Sequence, residues 1–413
     1  MITDNAYRKR AKSTIFAPNM PRPVTILLAS VLKPLDDTRM LGKFGRTLAG
    51  RPGTQVHVAG RLAPTPPSLP ANLRTHSLLH GSRLSLDRVW AQLRYWRLLR
   101  QLRPAVVFVH APELLPATVV WHLLGPGRRF VYDVRENYAL NIRTQAVYPA
   151  WARNLLASLV RHLETLASAR AAAVLLAERS YAEELPFAQL AATNLPPTGT
   201  RRYLTLLIEN KYQPYDEQPA PFPRRLPPVT EPLRLVYTGT ISELNGVWEA
   251  IRFVQHLRQA WPLAHLTIIG SCQQPGLLPR LEAAVAAARE AVTLVGGVAL
   301  VPHAQVVAEI RRSHLGLLPY QPHPSTARCI PTKLFEYLAH ALPLVLPPNP
   351  LWSNLAEEAE AGFGFDFQQP AYPPAEELAR LLQSRVYYPT GPPAGAFWQS
   401  EAEKLHWLMD SIR

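Results

Sequence analysis

Short apolar runs alternate along this chain with longer stretches in which apolar residues recur every three or four positions. In the first half the runs are Val24–Ser30, Gln55–Gly60, Ala105–His110, Arg129–Val134 and Ala171–Ala177. Several are rich in Val and Ile and lack strict alternation, which predicts strands buried on both faces. The intervening stretches Ser85–Leu102 and Trp151–Ala169 carry a helical period. In the second of these, Leu155, Leu156, Leu159, Leu163 and Leu166 predict an apolar stripe, with Arg153, Arg161 and Glu164 elsewhere around the helix. The Tyr and Trp of Leu93–Leu99 read as core, with arginines on the exposed side.

The segment Gln213–Pro232 contains seven prolines. Proline fixes its own φ and disfavours helix in the residue before it, so this stretch reads as a connector. Beyond it the alternation resumes. Leu233–Gly239, His265–Gly270, Val292–Gly297, His314–Tyr320 and Leu342–Pro347 read as strands, and Gly246–Trp261 and Leu277–Glu290 as helices. Strand–helix alternation on both sides of a linker predicts an α/β protein of two doubly wound Rossmann-like domains facing each other across a cleft. The expected division is a basic tail over 1–20, a first domain over 21–212, the linker over 213–232, a second domain over 233–395 and a final helix over 396–413 that packs back across the hinge. Ligands of such sheets bind beyond the carboxyl ends of the strands.

Composition narrows the class. The chain has 413 residues, 47% of them hydrophobic, enough for two cores. No run of about 18 apolar residues occurs, so no membrane-spanning helix is expected. The first twenty residues lack an apolar h-region and do not read as a secretory signal. Cys272 and Cys329 form no disulfide or zinc pattern. A cytoplasmic protein is expected. The net charge of +14 is uneven: residues 1–226 carry +17 and residues 227–413 carry −3. This predicts an anionic partner for the first half, whether acidic lipid, a phosphorylated acceptor or nucleic acid. A general bias toward Arg, which outnumbers Lys 37 to 7, accounts for the charge equally well.

The stretch Ile330–Pro347 reads as loop, short helix, turn and buried strand, with Pro331 in the first helical position. Its first turn carries Lys333 and Glu336 three residues apart. Helix-terminal amides with Lys333 would seat a diphosphate, and Glu336 would accept two hydroxyls of a ribose. A solvated surface pair is the other reading. Asp36, Asp37, Thr38 and Arg39 follow the first strand and read either as a substrate-binding loop or as an N-cap with its first-turn acids. His303 reads as a helix cap or surface residue. Neither the G-x-G-x-x-G turn after the first strand nor a P-loop is present.

Several of these segments together resemble the GT-B glycosyltransferases, especially the large retaining family numbered four. Pro331–Pro347 is similar to the family's carboxyl-domain signature, Ala105–Leu124 to its strand followed by H-D-P-E-L-L, and Phe130–Tyr138 to its Y-D-x-H-E strand end. Leu233–Val254 resembles the first strand, glycine loop and helix of its donor domain, and His314–Pro322 the strand before the signature. The resemblance implies that Glu336 holds the ribose and that Lys333, Gly239 and Thr240 meet the diphosphate. His110 would lie near the donor sugar and acceptor, accompanied by Glu113 and Glu136, with Asp37, Arg39 and Arg135 on the acceptor side. Four departures stand out. Arg328 occupies the place of a second Glu, Thr240 and Asn245 replace an Arg and a Lys, Ala111 replaces an Asp, and Arg135 replaces a His. Arg328 and Lys333 would then restore positive charge to the donor site.

The function so implied is transfer of a hexose from a nucleotide sugar to an acceptor hydroxyl with retention, in cell-surface polysaccharide or glycolipid synthesis. The acceptor would be a saccharide or lipid-linked chain, with the protein peripheral on an anionic inner-membrane face. Neither a metal cofactor nor nucleic acid is expected. A nucleotide-sugar epimerase of the same fold and a non-catalytic polyanion-binding or scaffold protein are the alternatives.

Overall fold

The computed structural model describes residues 23–412 except 65–67, 83–84, 145–148, 190–203, 215–219, 273, 275 and 325. The basic tail over 1–20 lies outside the described residues, as does part of the linker. The first sheet holds β1 (Val24–Pro34), β2 (Thr54–Arg61), β3 (Leu73–Leu79), β4 (Val106–Val109), β5 (Arg129–Val134), β6 (Ala173–Leu176) and β7 (Leu204–Leu207). All pair in parallel, in the order β3-β2-β1-β4-β5-β6-β7. The second sheet holds β8 (Leu233–Ile241), β9 (Ala264–Cys272), β10 (Val292–Gly297), β11 (Leu315–Leu317), β12 (Leu344–Leu346) and β13 (Gly362–Gly364). It is also parallel, in the order β10-β9-β8-β11-β12-β13. Both orders reverse direction beside their first strand, between β1 and β4 and between β8 and β11, where such sheets open a crevice.

Strands β3, β7 and β13 are absent from the sequence reading. Each is an edge strand, and an edge strand needs no continuous apolar run: β3 is buried at its two ends and half-buried or exposed between.

Helices α1 (Asp87–Leu102), α2 (Leu115–Leu123) and α3 (Ala150–Ser168) cover one face of the first sheet. In α3 the expected orientation is reversed. Ala152, Ala157, Glu164, Ala167 and Ser168 are buried, while Leu155, Leu159 and Leu166 are exposed. Small residues let the helix lie close to its neighbours, and close approach decided the inward face. Glu164 is tolerated there because the Tyr132 hydroxyl donates to its Oε1 at 2.7 Å and Arg161 lies 3.3 Å from Oε2. Burial still pushes its carboxyl up to about 7.

In the second domain α4 (Val247–Leu257), α5 (Leu278–Ala287), α6 (His303–Arg312) and α7 (Thr332–Ala339) surround a single core. The chain then returns to the first domain. Helix α8 (Gln399–Ser411) and the preceding Trp398 complete the core on the other face of the first sheet, where Leu405, Leu408 and Met409 meet Ile26, Leu28 and Phe44. Trp398 donates from its indole to Thr47 Oγ1 at 2.9 Å. Buried Glu401 accepts the Glu209 amide at 3.1 Å and the Lys211 ammonium at 2.7 Å. The two crossings between domains run side by side, with Tyr212 bridged to Phe397.

Trp398→Ala removes the largest side chain of this returning segment from a site only 1% exposed. The expected cost is about 3–5 kcal/mol of stability, read as a lowered thermal unfolding midpoint.

Candidate active site

Both switch points open toward one another. Between them lies a cleft of about 370 Å³ lined by Thr38, Lys43 and Asn210 from the first domain, and by residues of the β8, β9, α6 and α7 ends from the second. Helix α7 enters it with Thr332 and Lys333. Pro331 is its N-cap rather than its first residue: the Pro331 carbonyl accepts the Leu334 amide at 2.9 Å.

The Lys333 ammonium is buried, has no hydrogen-bond partner and lies 4.6 Å from the centre of the Tyr237 ring and 5.2 Å from that of Tyr320. Burial pulls its pKa down to about 7 against the pull of Glu336. Gly239 makes room beside it. Its φ is +90°, and a Cβ there would come within 3.5 Å of Lys333 Cε. Gly270 is required by its neighbour strand, since a Cβ would lie 1.7 Å from the Gly239 carbonyl oxygen. Glu336, one turn beyond Lys333, has its Oε1 2.8 Å from His303 Nε2, and both side chains line the cleft.

From the opposite wall comes Lys43, on a π-helical segment, Thr38–Gly45, capped by Asp37. Lys43 donates to Asn210 Oδ1 at 2.5 Å and to its backbone carbonyl at 3.2 Å. Burial and then nearby Arg39 bring it down to about 7. The cleft therefore holds two amines poised to take up protons, one on each domain.

Beneath the Lys43 wall is a buried charge network. Arg39 forks onto Asp133 at 2.6 and 2.9 Å, and Asp133 Oδ2 lies 2.7 Å from His110 Nδ1. Burial alone would raise the Asp133 pKa, but Arg39 overrides it and holds the carboxyl below its ordinary value. Burial lowers the His110 pKa against the pull of Asp133, and because an ionised carboxylate only accepts, Nδ1 is the donor to it. Arg135 forks onto Asp37 at 2.9 and 3.0 Å; against the effect of burial, Arg135 pulls the Asp37 carboxyl down to about 2.

A second groove of about 400 Å³ runs between the domains on the far side of Tyr320 and Thr332, which line both cavities. Asn137, Asn141 and Tyr181 face Thr326, Arg328 and Ile330 across it. Glu178 Oε2 accepts the Ile330 amide at 2.8 Å, joining the domains, and burial raises this carboxyl to about 8.

Residues 232–384 match the family model described as glycosyl transferases, group 1. The whole architecture matches solved structures. HepE of Anabaena in complex with UDP and glucose has a TM-score of 0.58 at 13% identity, covering 94% of this chain and 100% of that one. Sucrose-phosphate synthase from Thermosynechococcus elongatus has a TM-score of 0.56 at 15% identity, covering 94% and 96%. WaaG, a glycosyltransferase involved in lipopolysaccharide biosynthesis, has a TM-score of 0.54 at 13% identity, covering 94% and 95%. The chain has the GT-B fold, and the stretch that matches the glycosyl transferase model lies in its second domain. No curated protein sequence matches it.

In this GT-B cleft the structure brings together Gly239, Thr240, Asn245, Lys333 and Glu336. Asn245 Nδ2 donates to the Thr240 carbonyl at 2.9 Å, so it braces the glycine loop. Arg328 is not in the cleft. It is half-exposed in the second groove and pairs with Glu183, with Glu184 at 3.9 Å, so it supplies no charge to the donor side. Glu113 also lies elsewhere, paired with Arg88 on α1 at 3.0 Å. Glu136 lines the second groove, where Lys33 at 2.8 Å holds its carboxyl below its ordinary value against the effect of burial. His110 is wholly enclosed rather than open to substrate, because Asp133 fixes one edge of its ring and Phe44 packs on it edge-to-face at 5.4 Å. Asp37, Arg39 and Arg135 likewise spend their charges on one another and on Asp133; Asp37 is an N-cap, though no acid follows it in the first turn, and Thr38 of the same loop lines the cleft.

Sequence reasoning missed Lys43, Asn210 and the two tyrosine rings, and placed His303 at the surface. The position of α6 after β10, at a carboxyl strand end, was the one signal available for His303.

Arg39→Met strands Asp133 without its cation in a site with no water access. The expected loss is about 3–5 kcal/mol, measured by thermal or urea unfolding. Arg39→Met with Asp133→Asn recovers part of it.

Proposed function

We propose that the protein transfers a hexose, with retention, from a nucleotide sugar bound in the main cleft to a hydroxyl of an acceptor in the adjoining groove. The observation that carries this is Lys333: a buried ammonium held between two aromatic rings without a hydrogen-bond partner, facing a glycine loop and a helix N-terminus. Such a group calls for an anionic ligand, and a diphosphate is the match in size and charge. The α7 amides and Lys333 bind it from one domain and Lys43 from the other. Glu336, oriented by His303, accepts a ribose hydroxyl at Oε2. The nucleobase lies against Val301 and the backbone of Gly270 and Ser271, which line the same cavity.

The sugar carbon then points toward Tyr320 and Thr332, where the cleft meets the second groove. There Asn137, Asn141 and Glu136 present donors and acceptors suited to a saccharide. As the glycosidic bond breaks, negative charge grows on the leaving diphosphate, and fixed positive groups in a water-poor site stabilise it. The group 1 domain over 232–384 supports the donor assignment because it contains Gly239, Lys333 and Glu336. That HepE is crystallised with UDP and with UDP-glucose supports a nucleotide-sugar donor for this fold. Synthesis of surface polysaccharide or glycolipid is the setting proposed for the reaction.

In a thermal-shift screen of UDP-, GDP-, ADP- and dTDP-sugars, at least one donor raises the unfolding midpoint. Glu336→Ala and Lys333→Met each weaken that donor by about 10–100-fold, from loss of charge-assisted hydrogen bonds worth about 1.5–3 kcal/mol. Failure of every nucleotide to bind overturns the proposal, and sugar inversion or epimerisation with donor alone overturns its chemistry.

Binding is also pH-dependent. Both cleft amines lose their protons near pH 7 when the cleft is empty and must regain them beside a diphosphate. Affinity for a nucleotide sugar therefore falls as pH rises from about 7 to about 9, by up to about tenfold per pH unit for each amine. Titration calorimetry in buffers of different ionisation enthalpy reads the proton uptake, which Lys333→Met reduces.

A further inference from the structure

The three helices on the outer face of the first domain carry large apolar side chains that none of the described residues covers. On α1, Trp90 and Leu93 are exposed, and at the end of α2 Leu123 and Leu124 are. On α3, Trp151 is 84% exposed, with Leu155 and Leu159 on the same side. The helices share one core cluster and so lie side by side with these residues outward. Single exposed leucines need no explanation, but a run of them across three adjacent helices marks an interaction surface.

Its charge selects the partner. Over residues 85–103, 112–129 and 150–170 there are ten arginines and three acids. Each acid is already engaged: Asp87 by Arg94 at 2.7 Å, Glu113 by Arg88 at 3.0 Å, and buried Glu164 by Tyr132 and Arg161. The surface is thus apolar and positive, with no acid left to oppose an anion. Where α1 and α2 end, a slot of about 440 Å³ lies between Trp96 and Trp121, with Arg100, Arg103 and Arg128 around it. Leu124, 63% exposed, is part of its wall. A phosphate in that slot would have its acyl chains beside Leu123 and Leu124.

We infer that this face docks on an anionic phospholipid bilayer, with α1–α3 lying in the interface and a lipid phosphate in the arginine slot. Apolar residues backed by arginines bind membranes by combining buried area with attraction to acidic headgroups. No described helix is long and apolar enough to span the membrane, so the contact is peripheral. The inference stands on a surface remote from the donor cleft and does not require the assignment made there.

The test is co-sedimentation of the full chain with vesicles of phosphatidylcholine containing phosphatidylglycerol, against pure phosphatidylcholine, at low and high salt. The expected result is binding to the anionic vesicles that weakens with salt. Leu155→Glu with Leu159→Glu lowers it by about tenfold or more, and Arg97→Glu with Arg100→Glu does the same. All four positions are exposed, so unfolding midpoints and nucleotide-induced shifts stay as in the unmodified protein. Absence of binding at low salt, or equal binding by the apolar variant, overturns the inference. So does a dimer in solution that the apolar variant converts to monomer while vesicle binding is unchanged, which would assign the face to a second copy.

Discussion

The central strands of the first domain's parallel sheet are buried on both faces, so each face needs a helical layer. Three helices from its own half supply one layer. The other is completed by the far end of the chain: Trp398 and α8 pack on the segment that follows β1. Contact then runs in series. Trp398 lies 5.6 Å from Phe44, and Phe44 meets His110 edge-on. Phe44 belongs to the π-helical segment that also carries Arg39 and Lys43. The covering of a hydrophobic face and the positioning of a cleft amine are therefore one piece of packing.

Electrostatics divides the polar residues of the two domains into those that are satisfied and those left waiting. Around β1, β4 and β5, Arg39, Asp133, Asp37 and Arg135 neutralise one another in fixed bidentate pairs, which suits groups that hold a wall in place. Lys333 is the opposite case. Among the described residues it lies over two ring faces and has no hydrogen-bond partner, and burial lowers its proton affinity against the pull of Glu336. Desolvation without a counter-ion is costly, and a site retains such a group where a ligand supplies the missing charge.

The architecture was legible because strands buried on both faces are continuous apolar runs, and central strands β1, β4, β5, β8, β9 and β12 all announce themselves in this way. Edge strands β3, β7 and β13 did not, being short or only half-covered. That Gly239, Lys333 and Glu336 meet in one cleft was legible for a related reason: Lys333 and Glu336 share the first turn of a helix, and the resemblance to GT-B proteins pointed to the glycine loop. Two other expected placements were not legible. Arg328, expected at the donor site, is drawn to Glu183, and Glu113, expected near His110, to Arg88, by partners 145 and 25 residues away in sequence. The leucine stripe of α3 misled for a different reason, since periodicity identifies an apolar face without saying what it faces. Here alanines won the core and the leucines were left outside.

The return of α8 to the first domain has a consequence for biosynthesis. Residues 24–207 emerge from the ribosome with one side of their sheet incompletely covered. Ile26, Leu28 and Phe44 meet their last neighbours only when residues 398–412 have been made, after the entire second domain. N-terminal domains commonly finish folding during synthesis. This one must wait for residues 398–412, and until they arrive its bare apolar surface is open to chaperones.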